Sequence, residues 1–134
     1  MNIGAAAKKS GLSVKTVRFY SDIGLISPDK STESNYRIYS NQDVEKLLFV
    51  GKARKFDFSI EECRELLSLY ENKERPSSEV KKITLKKIEE IEQRIAELNS
   101  LKTELKRVSR NCNGDQRPDC PIIGFLAETN GQTE

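Results

Sequence analysis

The sequence predicts a mostly α-helical chain. It divides into a winged helix-turn-helix unit over residues 1–76, a long dimerisation helix over 77–108, and a loop, short helix and tail over 109–134. Three observations carry this. Ile88, Ile91, Ile95 and Leu98 step by three, four and three positions, and Leu98, Leu101, Leu105 and Val108 repeat the step in a shifted phase. That is a coiled-coil seam with one slip in register. Two short helix-forming runs meet at Ser10-Gly11, the spacing of a helical hairpin. Cys112 and Cys120 flank seven residues of turn-forming character.

Composition sets limits on this plan. A chain of 134 residues, 36% hydrophobic and 33% charged, holds one small globular unit plus an extension. Net charge is only +2, so a basic surface must come from segregation of charge. No apolar run is long enough to span a bilayer, and residues 1–11 lack the apolar stretch of a signal peptide. The expected location is the cytoplasm, with no membrane partner. Three cysteines, an odd number, argue against a disulfide framework and for reduced thiols. Histidine is absent, which removes imidazole from any metal or acid–base scheme.

Taken in order, residues 3–9 form a short alanine-rich helix that Gly11 closes. Ser13 is a good N-cap for a second helix over 14–22, with Val17, Phe19 and Ile23 facing inward and Lys15, Thr16, Arg18 and Tyr20 facing outward. A second helix bearing cations after a glycine turn is the pattern that enters a major groove, although many small helical hairpins share its spacing. Gly24-Leu25-Ile26 and Pro28 end the hairpin. Ser34-Asn35 then precedes Tyr36-Arg37-Ile38-Tyr39 and predicts a small wing. The wing displays Tyr36, Arg37 and Tyr39, whose hydroxyls and guanidinium suit phosphate oxygens; either tyrosine could instead pack the wing.

Ser40 and Asp43 resemble a capping box opening a helix through Val44, Leu47, Leu48 and Val50 to Ala53. Lys52, Arg54 and Lys55 gather at its end, suiting both the helix dipole and a phosphate backbone. Ser59 and Glu62 form a second capping box, with Phe58 and Cys63 in staple positions. Cys63 therefore reads as a small buried hydrophobe.

The long helix is charged between its apolar positions, and Glu90 stands four residues before Arg94, the favourable helical order. At roughly 1.5 Å per residue it is too long to hide its seam against the short neighbouring segments. It calls for a partner helix from a second subunit; the alternative is a solvated helix folding back on its own domain. Beyond it, Gly114 and Pro118 can bend the cysteine loop, and Pro121 suits the first position of a short helix. That puts the Cys120 thiolate near a positive helix end, with Ile122, Ile123, Phe125 and Leu126 able to exclude water. Two thiolates are too few for a structural zinc or an iron–sulfur centre and fit linear coordination of a soft monovalent ion such as Cu(I). The alternative is two unrelated loop cysteines.

Val17-Arg18-Phe19-Tyr20, Gly24-Leu25, Asn35-Tyr36-Arg37-Ile38-Tyr39 and Phe58-Ser59-Ile60-Glu61-Glu62 resemble the MerR family of transcription regulators, and the resemblance covers essentially the whole chain. It implies a winged helix-turn-helix homodimer, joined by an antiparallel coiled coil, that twists promoter DNA whose spacer is longer than RNA polymerase prefers. Asn35 and Asp57 stand where the family usually has glycine, and both tolerate positive φ. Cys112, the seven-residue spacing, Asp119-Cys120-Pro121-Ile122-Ile123 and Ser77 resemble the copper-responsive branch. In that branch the two loop cysteines bind Cu(I), Ag(I) or Au(I), and members that sense divalent ions carry cysteine where this chain has Ser77. The tail beyond Glu128 has no further Cys and is expected to fray.

The expected function is a metal-responsive, DNA-binding transcription activator without an enzymatic step. Lys15, Thr16, Arg18 and Tyr20 would address the major groove, and Tyr36, Arg37, Tyr39, Lys52 and Arg54 the backbone around it. Ile88, Ile91, Ile95, Leu98, Leu101 and Leu105 would form the dimer interface. Two other classes stand beside it. One is a redox sensor using a Cys112–Cys120 disulfide; the other is a metal buffer or chaperone, for which a groove-reading helix has no use.

Overall fold

A computed structural model describes residues 1–112, 114, 118 and 120–128. The remaining loop positions, Asp119 of the cysteine motif among them, and the 129–134 tail expected to fray lie outside the described residues. Described elements run α1 (Ile3–Ser10), α2 (Val14–Asp22), β1 (Asp29–Lys30), β2 (Arg37–Ile38), α3 (Asn41–Lys55), α4 (Ile60–Glu71), α5 (Ser77–Arg110) and α6 (Pro121–Ala127). No described helix is long and apolar enough to cross a membrane.

Local chemistry sets most boundaries. Asn2 accepts from the Ala5 N–H at 2.8 Å to start α1, and Gly11, at φ +74°, ends it in the left-handed conformation that glycine adopts without a Cβ penalty. Ser13 caps α2 through the Thr16 N–H at 3.0 Å. Both capping boxes form: Ser40 with Asp43 opens α3 and Ser59 with Glu62 opens α4. Asn35 and Asp57 take φ of +60° and +70°, the backbone role expected of them in place of glycine.

Met1–Lys87 forms one compact unit and the described residues from Ile88 onward a second. In the first, α1 packs on α2 and α3, and α3 on α4. Its core gathers Ala6, Ala7, Val17, Tyr20, Leu25, Ile26, Tyr39, Val44, Leu47, Val50, Cys63 and Leu67. Gly51 of α3 is a close approach: a Cβ there would stand 3.3 Å from a Leu12 methyl, tighter than ordinary packing. β1 and β2 pair antiparallel, Asp29 opposite Ile38 and Lys30 opposite Arg37, and make the wing. The Tyr39 N–H donates to the Met1 carbonyl at 2.7 Å and anchors its base.

Ile83 and Lys87 bring the first turns of α5 onto this unit. Ile83 packs against the core. The Lys87 ammonium lies 2.9 Å from Glu62 Oε1 and 5.7 Å from the centre of the Phe58 ring, with side-chain exposure of 9% for Lys87 and 15% for Glu62. Burial pushes the Glu62 carboxyl up, but the Ser59 N–H and the Lys87 ammonium outweigh it and hold the carboxyl below its ordinary value. In the second unit, Ile88, Ile95, Leu98, Leu101 and Leu105 are 46–60% exposed in the single chain, Ile91 is half-buried and Val108 is buried.

Candidate functional site

α2 and the wing present one group of candidate side chains. Lys15 and Arg18 are exposed on α2, and Thr16 is half-buried with its hydroxyl accepting from Ser13 at 2.8 Å. Two expectations for the DNA-facing set are corrected. Tyr20 is only 6% exposed whereas Phe19 is 49% exposed. Val17, Tyr20 and Ser21 follow the three- and four-residue helical step inward, so Phe19 shares the outer face with Lys15, Arg18 and Asp22. Tyr39 is likewise 1% exposed, not displayed on the wing. Its hydroxyl lies 2.8 Å from Ser21 Oγ, which itself donates to the Val17 carbonyl at 2.8 Å.

Tyr36 is exposed and Arg37 half-buried. Arg37 Nη1 stands 2.7 Å from Asp22 Oδ1 at the end of α2. That hydrogen bond, opposed by partial burial and reinforced by the Asp22 charge and the Tyr39 hydroxyl, raises the guanidinium pKa further above its already high value. Lys52 and Arg54 are exposed in the last turn of α3. Arg54 also has a structural task, because its Nη1 donates to the Phe58 carbonyl at 2.9 Å and braces the α3–α4 turn. Sequence reasoning missed Asp22 and Lys87. Each is an ordinary charged residue whose partner lies 15 and 25 positions away, Arg37 and Glu62 respectively, beyond the reach of any local spacing rule.

The cysteines separate into two kinds, and none is in a disulfide. Cys63 is fully buried in the core, and burial pushes its thiol pKa up, which makes it an unreactive packing group as expected. Cys112 and Cys120 are half-buried with their sulfurs 3.3 Å apart. Cys120 is the N-cap of α6, Pro121 is the first helical residue, and the Gly124 N–H donates to the Cys120 carbonyl at 3.1 Å. The gap exceeds the ~2.05 Å of a disulfide bond. Two metal–sulfur bonds of about 2.3 Å each can bridge it, and linear coordination needs it wider by about 1.3 Å. The donor set therefore fits a soft ion of low coordination number. Among the described residues no cluster of three or more His, Cys, Asp or Glu could supply a larger shell. Ser77 is exposed at the first position of α5.

Comparison with known proteins supplies the lineage. The profile of MerR HTH family regulatory proteins matches residues 1–69, and that of the MerR DNA-binding region matches residues 44–108. The chain is 48% identical over 132 residues to heavy metal-dependent transcription regulator 2 of Rhizobium meliloti, covering 98% of this chain and 90% of that protein. It is 44% identical over 127 residues to the HTH-type transcriptional regulator CueR of Yersinia pestis, covering 95% and 91%. It also superposes on the transcription regulator PbrR691 of Ralstonia metallidurans CH34, whose crystal structure is a complex with lead(II). There the TM-score is 0.80 at 33% identity, covering 95% of this chain and 99% of that one. With its winged helix-turn-helix and long helix, this chain belongs to the MerR family of transcription regulators, which are DNA-binding proteins and not enzymes.

Proposed function

We propose that this chain is a homodimeric, metal-responsive transcription activator that senses Cu(I), Ag(I) or Au(I) through Cys112 and Cys120. The approach of these two sulfurs to 3.3 Å is the observation that carries the reading. Two thiolates and a monovalent ion leave a net charge of −1, which the backbone N–H groups at the start of α6, where Cys120 is the N-cap, can offset. The apolar cover expected from α6 is only partial, because Ile123 and Leu126 are 64% and 65% exposed in the single chain. Zn(II) would be neutral with the same ligands but under-coordinated, since zinc wants four. Hg(II), which accepts two thiolates, would differ from the monovalent ions in the charge of its complex, neutral where theirs is −1. Ser77, contributed across the dimer in the arrangement the family resemblance implies, offers a weak hydroxyl where a thiolate would raise the coordination number. Selection thus works by withholding ligands. The heavy-metal dependence in a relative's name supports a metal effector in general, and the lead(II) complex of PbrR691 makes the valence the point to test.

On DNA, Lys15, Thr16 and Arg18 address the major groove, while Tyr36, Arg37, Lys52 and Arg54 hold phosphates and set register. The buried Tyr20 and Tyr39 shape this surface from beneath. Residues 1–76 serve as the DNA-binding domain, 77–108 as the antiparallel dimerisation helix and 109–134 as the metal-binding segment. Metal occupancy changes how the two DNA-binding units sit, and the free-energy difference between promoter shapes carries the signal to RNA polymerase.

The test is transcription from a responsive promoter in buffered metal. Cu(I), Ag(I) or Au(I) activates, Zn(II) and Hg(II) do not, Cys112→Ser or Cys120→Ser abolishes the response, and Ser77→Cys gains a divalent response. Activation of the unaltered protein by Zn(II) at free concentrations comparable to those needed for Cu(I) would refute the reading. The same sulfur separation favours one other reading, a Cys112–Cys120 disulfide switch. Transcription unchanged by Cu(I) but switched by peroxide with metal removed would select it.

A further inference from the structure

Asp22 closes the groove-reading helix α2, and Arg37 opens the second strand of the wing. Their 2.7 Å ion pair is the described side-chain link between those elements that involves a cation assigned to phosphate. Two features make Asp22 more than a surface partner. First, Arg37 sits directly across the wing from Lys30, so the two-stranded ribbon sets two cations opposite each other, a repulsive pairing that the Asp22 carboxylate offsets. Second, an arginine fork has five N–H donors, and the Asp22 carboxylate and the Tyr39 hydroxyl engage only part of it, so donors remain for a phosphate.

We propose that Asp22 is a positioning residue for DNA reading: it fixes the Arg37 guanidinium against the end of α2 and cancels one wing charge that would otherwise serve non-specific phosphate binding. The inference rests on the assignment of Arg37 to a phosphate above. Non-specific affinity comes almost entirely from counterions released by cations, wherever those cations lie. Specific binding also needs the cations in register with the bases that α2 meets. A carboxylate that neutralises Arg37 while aiming it gives up the first in favour of the second. Asp22 thus acts on the ratio of the two affinities and not simply on either one.

The experiment uses the full-length protein, a responsive promoter duplex and a scrambled duplex of equal length, with affinities measured by fluorescence anisotropy from 50 to 200 mM salt. Asp22→Asn, nearly isosteric at a partly exposed site, should bind the scrambled duplex about three- to tenfold tighter at the lowest salt, with the slope of log K against log salt steeper by about 0.9. Promoter affinity should rise less, so the ratio falls. Asp22→Glu should keep the ratio close to that of the unaltered protein, and in an Arg37→Gln background Asp22→Asn should leave it unchanged. A folded Asp22→Asn protein with an unaltered ratio and slope overturns the inference. If Arg37→Gln alone leaves both affinities unchanged, the phosphate role of Arg37 is what fails, and the proposal falls with it. If Arg37→Gln weakens both while Asp22→Asn leaves the ratio alone, only the role of Asp22 fails.

Discussion

Tyr39 shows how one hydroxyl can tie a wing to a helix. Ser21 Oγ has a single proton, and it goes to the Val17 carbonyl at 2.8 Å, so the Tyr39 hydroxyl is the donor in its 2.8 Å bond to Ser21. At 1% exposure no water can take over that role. Tyr39→Phe keeps the ring and its packing and removes the hydroxyl, both as donor to Ser21 and as a partner of the Arg37 guanidinium, so the expected loss is about 0.5–1.5 kcal/mol of unfolding free energy. Urea denaturation measures it. A loss of several kcal/mol would mean that the ring itself shifts, and no loss would mean that the bond is not made in solution.

Glu62 connects elements as well as capping one. Its carboxylate closes the α4 capping box by accepting from the Ser59 N–H at 2.8 Å and receives Lys87 of α5 at 2.9 Å. Because its pKa is lower folded than unfolded, the pair contributes stability that is fully present above the unfolded value near 4.3 and is lost as pH falls through the lower folded value. Lys87→Met removes the charge while keeping much of the apolar stem. The carboxylate then retains the Ser59 N–H but lacks its cation, so the expected cost at neutral pH is about 1–3 kcal/mol. That is below the ~3–5 kcal/mol of a fully stranded buried charge. Without Lys87 the carboxyl pKa should rise, and the variant should show a smaller acid-induced loss of stability below about pH 4.5. Denaturant titrations at pH 7 and pH 3.5 check both statements; an equal loss at the two pH values would remove the pair from the account.

Assembly is the remaining question for the long helix. Five seam residues, Ile88, Ile95, Leu98, Leu101 and Leu105, each stay 46–60% exposed in the single chain, an apolar stripe that monomeric proteins rarely leave uncovered. If a second copy covers it, Ile95→Lys should place an unpaired charge midway along the interface and drive the dimer apart. Sedimentation velocity at micromolar protein should then find monomer, with promoter affinity lost alongside, since both half-sites need one particle. A stable Ile95→Lys dimer would place the interface elsewhere.

Short-range chemistry was legible in the residues themselves. Ser13, the Ser40–Asp43 and Ser59–Glu62 boxes, Gly11, and the left-handed Asn35 and Asp57 all act within a few positions of the chain, so the residue type and its spacing carry the information. The seam and the cysteine spacing were readable for the same reason, as was the resemblance to the copper-responsive branch, which rests in part on that spacing. Packing between distant segments had to come from the folded chain. Phe19 and Tyr20 are adjacent aromatics about 100° apart around one helix, and Val17 is compatible with either facing inward. The choice of Tyr20 follows from the other segments that complete the core, among them Leu25, Ile26 and Tyr39. The Asp22–Arg37 and Glu62–Lys87 pairs join charges 15 and 25 residues apart, and the spacing of Cys112 and Cys120 does not by itself state that their sulfurs come within 3.3 Å. A periodic pattern states that a face is apolar; which neighbour meets it is settled by the summed burial of segments far apart in sequence.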